Sequence, residues 1–258
     1  MGLYKKTIKS WKYALINSKI NFITDFNIEE GNKVLVLCCG IGSEAILSRK
    51  LVGETGYVMG IDINKNAIEI ANEKKGQLKL DNLDFVVGDA KELGDTISQF
   101  DKICCLYGMH FFDYQSAILD YWSNYLKPGG TLGVLEWLKS QPNNVITPIF
   151  NLVSKYVPQN SPNKINASKS NNNLIWSYID TKLYKYNIYY PDPKTYWAIF
   201  KQNELYSKLY KEIGYSKFRE MEKEVEKFLN RLPAESFEEI TRVRAIFAQK
   251  KAIKGVKK

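Results

Sequence analysis

Apolar and polar positions fall in blocks along this chain. The most compact block is Val34-Leu35-Val36-Leu37, an unbroken apolar run that predicts a fully buried strand. Cys38, Cys39 and Gly40-Ile41-Gly42 follow it, and Ser43–Leu51 reads as a helix. A second apolar run, Tyr57–Ile63, carries Asp62 near its carboxyl end. Asn64–Lys75 then predicts a helix packed through Ala67, Ile68, Ile70 and Ala71. Asp84–Val87 and Phe100–Leu106 are further short apolar strands, and Thr131–Leu138 is a fifth after the turn Lys127-Pro128-Gly129-Gly130.

Both ends of the chain carry other patterns. Tyr4, Ile8, Trp11 and Leu15 recur at helical spacing within Tyr4–Ile20, beside lysines. Beyond Leu138 the periodicity loosens. Ser140–Asn173 is rich in Asn, Ser, Pro and Lys and predicts an exposed loop. Trp176–Tyr190 is dense in aromatics, with Tyr184, Tyr186, Ile188 and Tyr190 alternating as one strand face. Asp192-Pro193 supplies an N-cap and first helical residue for Lys194–Ile213. Gly214 ends that helix, Ser216–Arg231 predicts another, and Ile240–Gln249 closes the chain as an apolar run.

Strand, glycine turn, helix and acid-tipped strand make a βαβ nucleotide-binding crossover, so the fold class is α/β with a mostly parallel sheet. Glycine suits the turn because a Cβ would hold the backbone away from a ligand. An acid at the second strand's tip suits vicinal ribose hydroxyls, which donate to it. Gly40-Ile41-Gly42-Ser43-Glu44-Ala45 fits G-x-G-x-x-A, with Asp62 20 residues past Gly42. That spacing leaves an NAD(P)-dependent oxidoreductase open.

The words CCGIGSEA and LVGETGYVMGIDINKNAIEIA resemble the glycine motif and following acidic motif of class I S-adenosylmethionine (SAM) methyltransferases, particularly the UbiE/COQ5-like branch. FDKI before a turn rich in Gly, His and Phe, and then LKPGGTLGVLE, extend the likeness from Lys33 to about Leu138. Two positions depart from the family pattern: Val36 stands where an acid is usual, and Cys38 where glycine is usual. The resemblance implies a doubly wound Rossmann-like sheet with an antiparallel C-terminal strand, Ile240–Gln249, and a substrate cap inserted after the fifth strand. It implies an N-terminal helical lid over residues 1–28, a SAM-binding core over 29–139, a cap over 140–191, and C-terminal helices with the last strand over 192–258. It also implies that Cys38, Cys39, Gly40, Gly42, Asp62, Ile63, Asp89, Ala90 and Leu106 line the cofactor, with Asp89 near the adenine amino group. The alternative role for Asp89 is an N-cap of Ala90–Ile97.

Composition narrows the picture. The 258 residues, 45% hydrophobic and 25% charged, suit one large α/β domain with an insertion or two small ones. The net charge of +9 is spread along the chain without a nucleic-acid motif, and reads as solvated surface or attraction to an anionic substrate or membrane. Lys5, Lys6, Lys9 and Lys12 interrupt any signal peptide, and no apolar run reaches membrane-spanning length, so a cytoplasmic protein is expected. Cys38-Cys39 and Cys104-Cys105 lack metal-ligand spacing, and no metal site is expected. They read as reduced core thiols that adjacent strands bring near one another.

SAM chemistry needs few diagnostic groups, because the sulfonium already activates the methyl. His110, the only histidine, follows the fourth strand at the sheet's ligand edge and is the candidate base, with Tyr107 an alternative that orients an acceptor. Glu136 shares that edge. Trp11, Trp176, Tyr186 and Tyr190 are candidate walls for an apolar or aromatic small-molecule acceptor. A SAM-binding protein without transfer activity and a tRNA substrate remain open at this point.

Overall fold

The computed structural model describes residues 2–94, 99–112, 115–138, 146–156, 175–190, 192–201, 204–233 and 238–252. A seven-stranded sheet runs in the order β3-β2-β1-β4-β5-β7-β6. Its strands are β1 Lys33–Leu37, β2 Tyr57–Asp62, β3 Leu83–Val87, β4 Phe100–Leu106, β5 Leu126–Trp137, β6 Trp176–Tyr189 and β7 Glu238–Lys250. β1 lies parallel to β2 and β4, β4 parallel to β5, and β7 antiparallel to β5. Connections with helices between parallel strands put the loops after β1, β2, β3 and β4 at one edge.

The chain divides into two compact units. One holds Ser18–Trp137, Ile165–Tyr184 and Val243–Lys258. On one face of its sheet, Leu35, Leu37, Ile103, Cys105, Leu132 and Val134 form a core with Trp122 of helix α4 (Gln115–Ser123). Trp122 Nε1 donates to Ala90 O at 2.8 Å, which satisfies the indole inside that core. The opposite face takes the later part of helix α1 (Gly2–Phe26), helix α2 (Ser43–Val52) and helix α3 (Lys65–Gln77). Phe22 and Phe26 press on Gly133, where a Cβ would stand 2.7 Å from the Phe22 ring. Asp25 accepts from Lys182 Nζ at 2.7 Å and from Tyr184 OH at 2.5 Å, joining α1 to β6.

The second unit holds Met1–Asn17, Leu138–Lys164 and Lys185–Arg242. Helices α5 (Ile146–Ser154) and α6 (Pro193–Phe200) pack on α7 (Glu204–Leu229), with Leu209, Phe218 and Met221 forming its core. The Asp192 cap forms as the sequence predicts: its carboxylate accepts from Thr195 N–H at 2.7 Å and Thr195 Oγ at 2.8 Å. Gly214, with φ 75, kinks α7 where two separate helices are expected.

Other expectations differ more. Trp176–Tyr189, placed by the sequence reading in a cap, is the sheet's edge strand, and its residues through Tyr184 belong to the sheet's own unit. The stretch read as an exposed loop contains α5, whose Pro148 sits in the first turn where no N–H is needed. Asp89 caps a turn and not a helix: residues 90–94 are non-helical, and 95–98 lie outside the described residues, as does the whole Asn/Ser-rich stretch 157–174.

Candidate active site

Everything at the sheet's ligand edge is hung from the end of β1. Cys38 and Gly40 adopt φ 53 and 51, and Gly42 adopts φ 81 as the N-cap of α2. Gly42 is fixed by space as well as conformation, since a Cβ would meet the Phe85 ring at 2.5 Å. At Gly40 a Cβ would meet no neighbour within 4 Å and would point into the cleft. Gly42 N–H donates to Cys39 O at 3.0 Å, and Lys74 Nζ reaches from α3 to Ile41 O at 3.0 Å. Asp62 holds the bend from β2: one carboxylate oxygen accepts from Gly40 N–H at 2.8 Å, the other from Asn64 N–H at 2.9 Å. Ile63 follows, 70% exposed over the cleft.

Asp89 accepts from Lys91 N–H at 2.8 Å at the tip of β3, next to buried Ala90. Leu106 is buried at the end of β4. Tyr107 follows with φ 61, a costly backbone for a side chain of its size. Its N–H donates to Leu135 O at 2.6 Å, its ring stacks on Trp137 at 4.8 Å, and its hydroxyl shares a 2.5 Å hydrogen bond with Ser18 of α1. His110 lies exposed in the short 3-10 turn Met109–Phe111, with its ring 3.9 Å from Phe111.

Acids and lysines meet at this edge, with Lys74 on the glycine turn beside Asp62. Glu44, in the first turn of α2, is buried and pairs with Lys19 of α1. Burial, with Asp62 and Glu44 nearby, pushes the Cys39 thiol up to about 12, so it stays a neutral packing group. Glu44, Lys19, Ser18 and Trp137 are additions that sequence reading missed. Glu44 stood in the glycine motif, but its partner lies 25 residues upstream with no local signal.

The proposed acceptor residues are scattered. Glu136 stands opposite Arg244 in the β5–β7 register and accepts from its guanidinium, at 2.9 Å from Nε, which occupies the carboxylate in a cross-strand pair. Trp176 is buried in the sheet core. Tyr190 is buried in the second unit against Tyr196, ring centroids 4.5 Å apart, and Tyr186 is half-buried there. Trp11 lies in α1, and its side chain is outside the described residues. Among the described residues no group of three metal-ligating side chains occurs, and no helix is long and apolar enough to cross a membrane.

Residues 8–217 match the ubiE/COQ5 methyltransferase family. The chain belongs to it. Within this ubiE/COQ5 family, it is 33% identical over 141 residues to a demethylmenaquinone methyltransferase of Oceanobacillus iheyensis, covering 51% of this chain and 58% of that protein. A demethylmenaquinone methyltransferase of Staphylococcus aureus is 33% identical over 159 residues, covering 57% of this chain and 64% of that protein. The match therefore spans only about six-tenths of these relatives. In fold, the chain is similar to the YcgJ protein of Bacillus subtilis, with TM-score 0.60 and 15% identity over 92% of this chain and 99% of that one. It is also similar to phosphoethanolamine N-methyltransferase 2 of Haemonchus contortus, with TM-score 0.55 and 14% identity over 92% of this chain and 53% of that one.

Proposed function

We propose that this chain transfers a methyl group from SAM to a small, apolar, aromatic acceptor of the quinone type. The observation that carries this reading is the Gly40–Asp62 clasp with free acceptor capacity beside it. A carboxylate offers about four lone-pair sites, and Asp62 has a backbone partner at each oxygen. The remaining sites face the cleft and suit two ribose hydroxyls. Ile41 and Ile63, both exposed at this edge, supply apolar faces for a purine. Asp89 presents a carboxylate to an exocyclic amine.

A pyrophosphate in such folds sits at the N-terminus of the first crossover helix. Here Glu44 is buried at that end of α2, with Asp62 and Asp89 at the same edge. Lys19 pairs with Glu44 and Lys74 reaches the same turn, so it is the Asp62 and Asp89 carboxylates that favour a ligand carrying a sulfonium and an ammonium.

SAM, when bound, supplies a methyl already activated as a sulfonium substituent. The protein's part is to bind, align and exclude water. Tyr107 is held rigidly between Trp137 and Ser18, so it can orient an acceptor by hydrogen bonding. His110, at the same strand end, can take a proton from an acceptor hydroxyl. The likeness to the demethylmenaquinone methyltransferases of Oceanobacillus and Staphylococcus supports a quinone-type acceptor.

Calorimetry with SAM, S-adenosylhomocysteine and NADH, followed by transfer of labelled methyl to reduced demethylmenaquinone, tests the proposal. Tight SAM binding and labelled product are expected. Tight NADH binding without SAM binding would overturn the cofactor, and SAM binding without any product would overturn the transfer.

A further inference from the structure

Cys38 fits its place poorly. It holds φ 53 at the start of the glycine turn, a conformation that costs a non-glycine residue about 1–2 kcal/mol. A residue kept at such a position invites a functional explanation. Its thiol lies beside that of Cys105 on the adjacent parallel strand. Leu37 and Cys105 are register partners, so Cys38 lies one residue beyond a direct cross-strand pair. Gly108 makes the room: a Cβ there would stand 2.6 Å from the Cys105 sulfur and 2.8 Å from the Cys38 sulfur.

The two thiols differ in access. Cys105 is fully buried in the central strand β4, and Cys38 is partly open to the cleft. The neighbouring Cys105 thiol lowers the Cys38 pKa, against burial and the charges of Asp62 and Asp89. The other pair is placed differently. Cys39 lies on the opposite sheet face, close to Gly60, and Cys104 is fully buried.

We infer that Cys38 and Cys105 form a peroxide-oxidisable pair whose disulfide unfastens the glycine turn from Asp62. The Cys38 thiol gives up its proton and, as the thiolate, attacks one oxygen of hydrogen peroxide; the O–O bond breaks, the departing hydroxide takes up that proton as water, and Cys38 becomes a sulfenic acid. Cys105 then attacks the Cys38 sulfur and the S–O bond breaks. The departing hydroxide takes the Cys105 proton as a second water. Two thiols lose two electrons and the peroxide gains them. The bond draws the sulfurs to about 2.05 Å. β4 is locked in the core, so the displacement falls on the turn, whose fastenings next to Cys38 are Cys39 N–H to Ile61 O at 3.0 Å and Gly40 N–H to Asp62 at 2.8 Å.

The test uses the full chain, reduced and peroxide-treated, with differential alkylation, peptide mapping and amide hydrogen exchange. Expected are a Cys38–Cys105 crosslink with loss of two hydrogens, Cys39 and Cys104 still alkylated after denaturation, and faster exchange at Gly40. Dithiothreitol should reverse all three. In Cys105→Ala, and in Cys105→Ser as its polar counterpart, a sulfenic acid at Cys38 should instead be trapped by dimedone. No crosslink, a crosslink through Cys39 or Cys104, or unchanged exchange at Gly40 overturns the inference. Loss of SAM binding on oxidation is the further consequence that rests on the cofactor proposed above. If reduced protein binds no SAM, that proposal falls while the crosslink and exchange readouts still decide this one.

Discussion

The Gly40 amide and the Asp62 carboxylate meet at 2.8 Å across 22 residues of chain, so the acid at the tip of β2 shapes the turn at the tip of β1. Asp62 thereby has two roles in one side chain: it sets the backbone bend, and it faces the cleft where ribose hydroxyls are proposed to bind.

Asp62→Ala should weaken SAM binding by about 1–3 kcal/mol, since it removes acceptors for charge-assisted hydrogen bonds. It should also raise amide exchange at Gly40 in the ligand-free protein. Asp62→Asn keeps one acceptor oxygen and should fall between the two in titration calorimetry. An alanine variant with wild-type affinity would remove Asp62 from the cofactor site.

The two turn glycines should respond differently to alanine. Gly42→Ala meets the Phe85 ring at 2.5 Å and holds φ 81, so overpacking adds about 1–3 kcal/mol to the backbone cost. Gly40→Ala carries the backbone cost alone, about 1–2 kcal/mol, but puts a methyl into the cleft. Chemical denaturation should rank Gly42→Ala as the less stable, whereas calorimetry should show that Gly40→Ala binds SAM poorly for its stability. The reverse ranking in stability would mean that Phe85 does not pack as described.

The central crossover was legible because each of its elements is defined locally. The run Val34–Leu37, the glycines after it and the acid at Asp62 each announce a strand, a turn or a tip within a few residues. Contacts between distant segments were not. Tyr184, Tyr186 and Ile188 alternate as a strand, yet nothing near them says that their partner is β7, some fifty residues later. The same holds for Ser18 with Tyr107 and Lys19 with Glu44, which join a face of α1 to a loop and to the first turn of α2 with no local signal. Glu136 looked like a free acid because Arg244 lies 108 residues away. α4 escaped because Phe111-Phe112 and the aromatics after it blur any helical period.

Glu136 and Arg244 should behave as a structural pair. Both are partly exposed, with side-chain exposures of 17% and 41%, so a coupling of only about 0.2–1 kcal/mol is expected. A double-mutant cycle of Glu136→Gln and Arg244→Gln, read by denaturation, should show that coupling. A Glu136→Gln change that leaves stability untouched but raises the KM for the acceptor would restore Glu136 to the substrate site.

His110→Ala should lower kcat while leaving the Kd for SAM within about twofold, because a group that acts only on the acceptor proton contributes to the transition state and not to cofactor binding. The acidic limb of the wild-type pH–rate profile should disappear in this variant if the imidazole is the base. Full turnover with an unchanged profile would reduce His110 to a residue lining the cleft.

Acid should loosen the sheet through Asp101. Its carboxylate accepts from Lys33 N–H and from Lys127 Nζ, each at 2.8 Å. Burial pushes its pKa up, but Lys127 and the Lys33 amide outweigh burial and hold it below the ordinary carboxylate range. A pKa depressed by folding stabilises the fold fully above the unfolded value, about 3.9. That contribution is lost as pH falls through the lower, folded value. Asp25 and Asp84, depressed by lysine and tyrosine partners, act in the same sense. Urea unfolding from about pH 6 to pH 2 should therefore show wild-type stability falling below about pH 4. Asp101→Asn should be less stable at pH 6, fall less steeply, and converge on wild type at the acid end. Parallel curves for the two proteins would show that Asp101 titrates alike in the folded and unfolded chains.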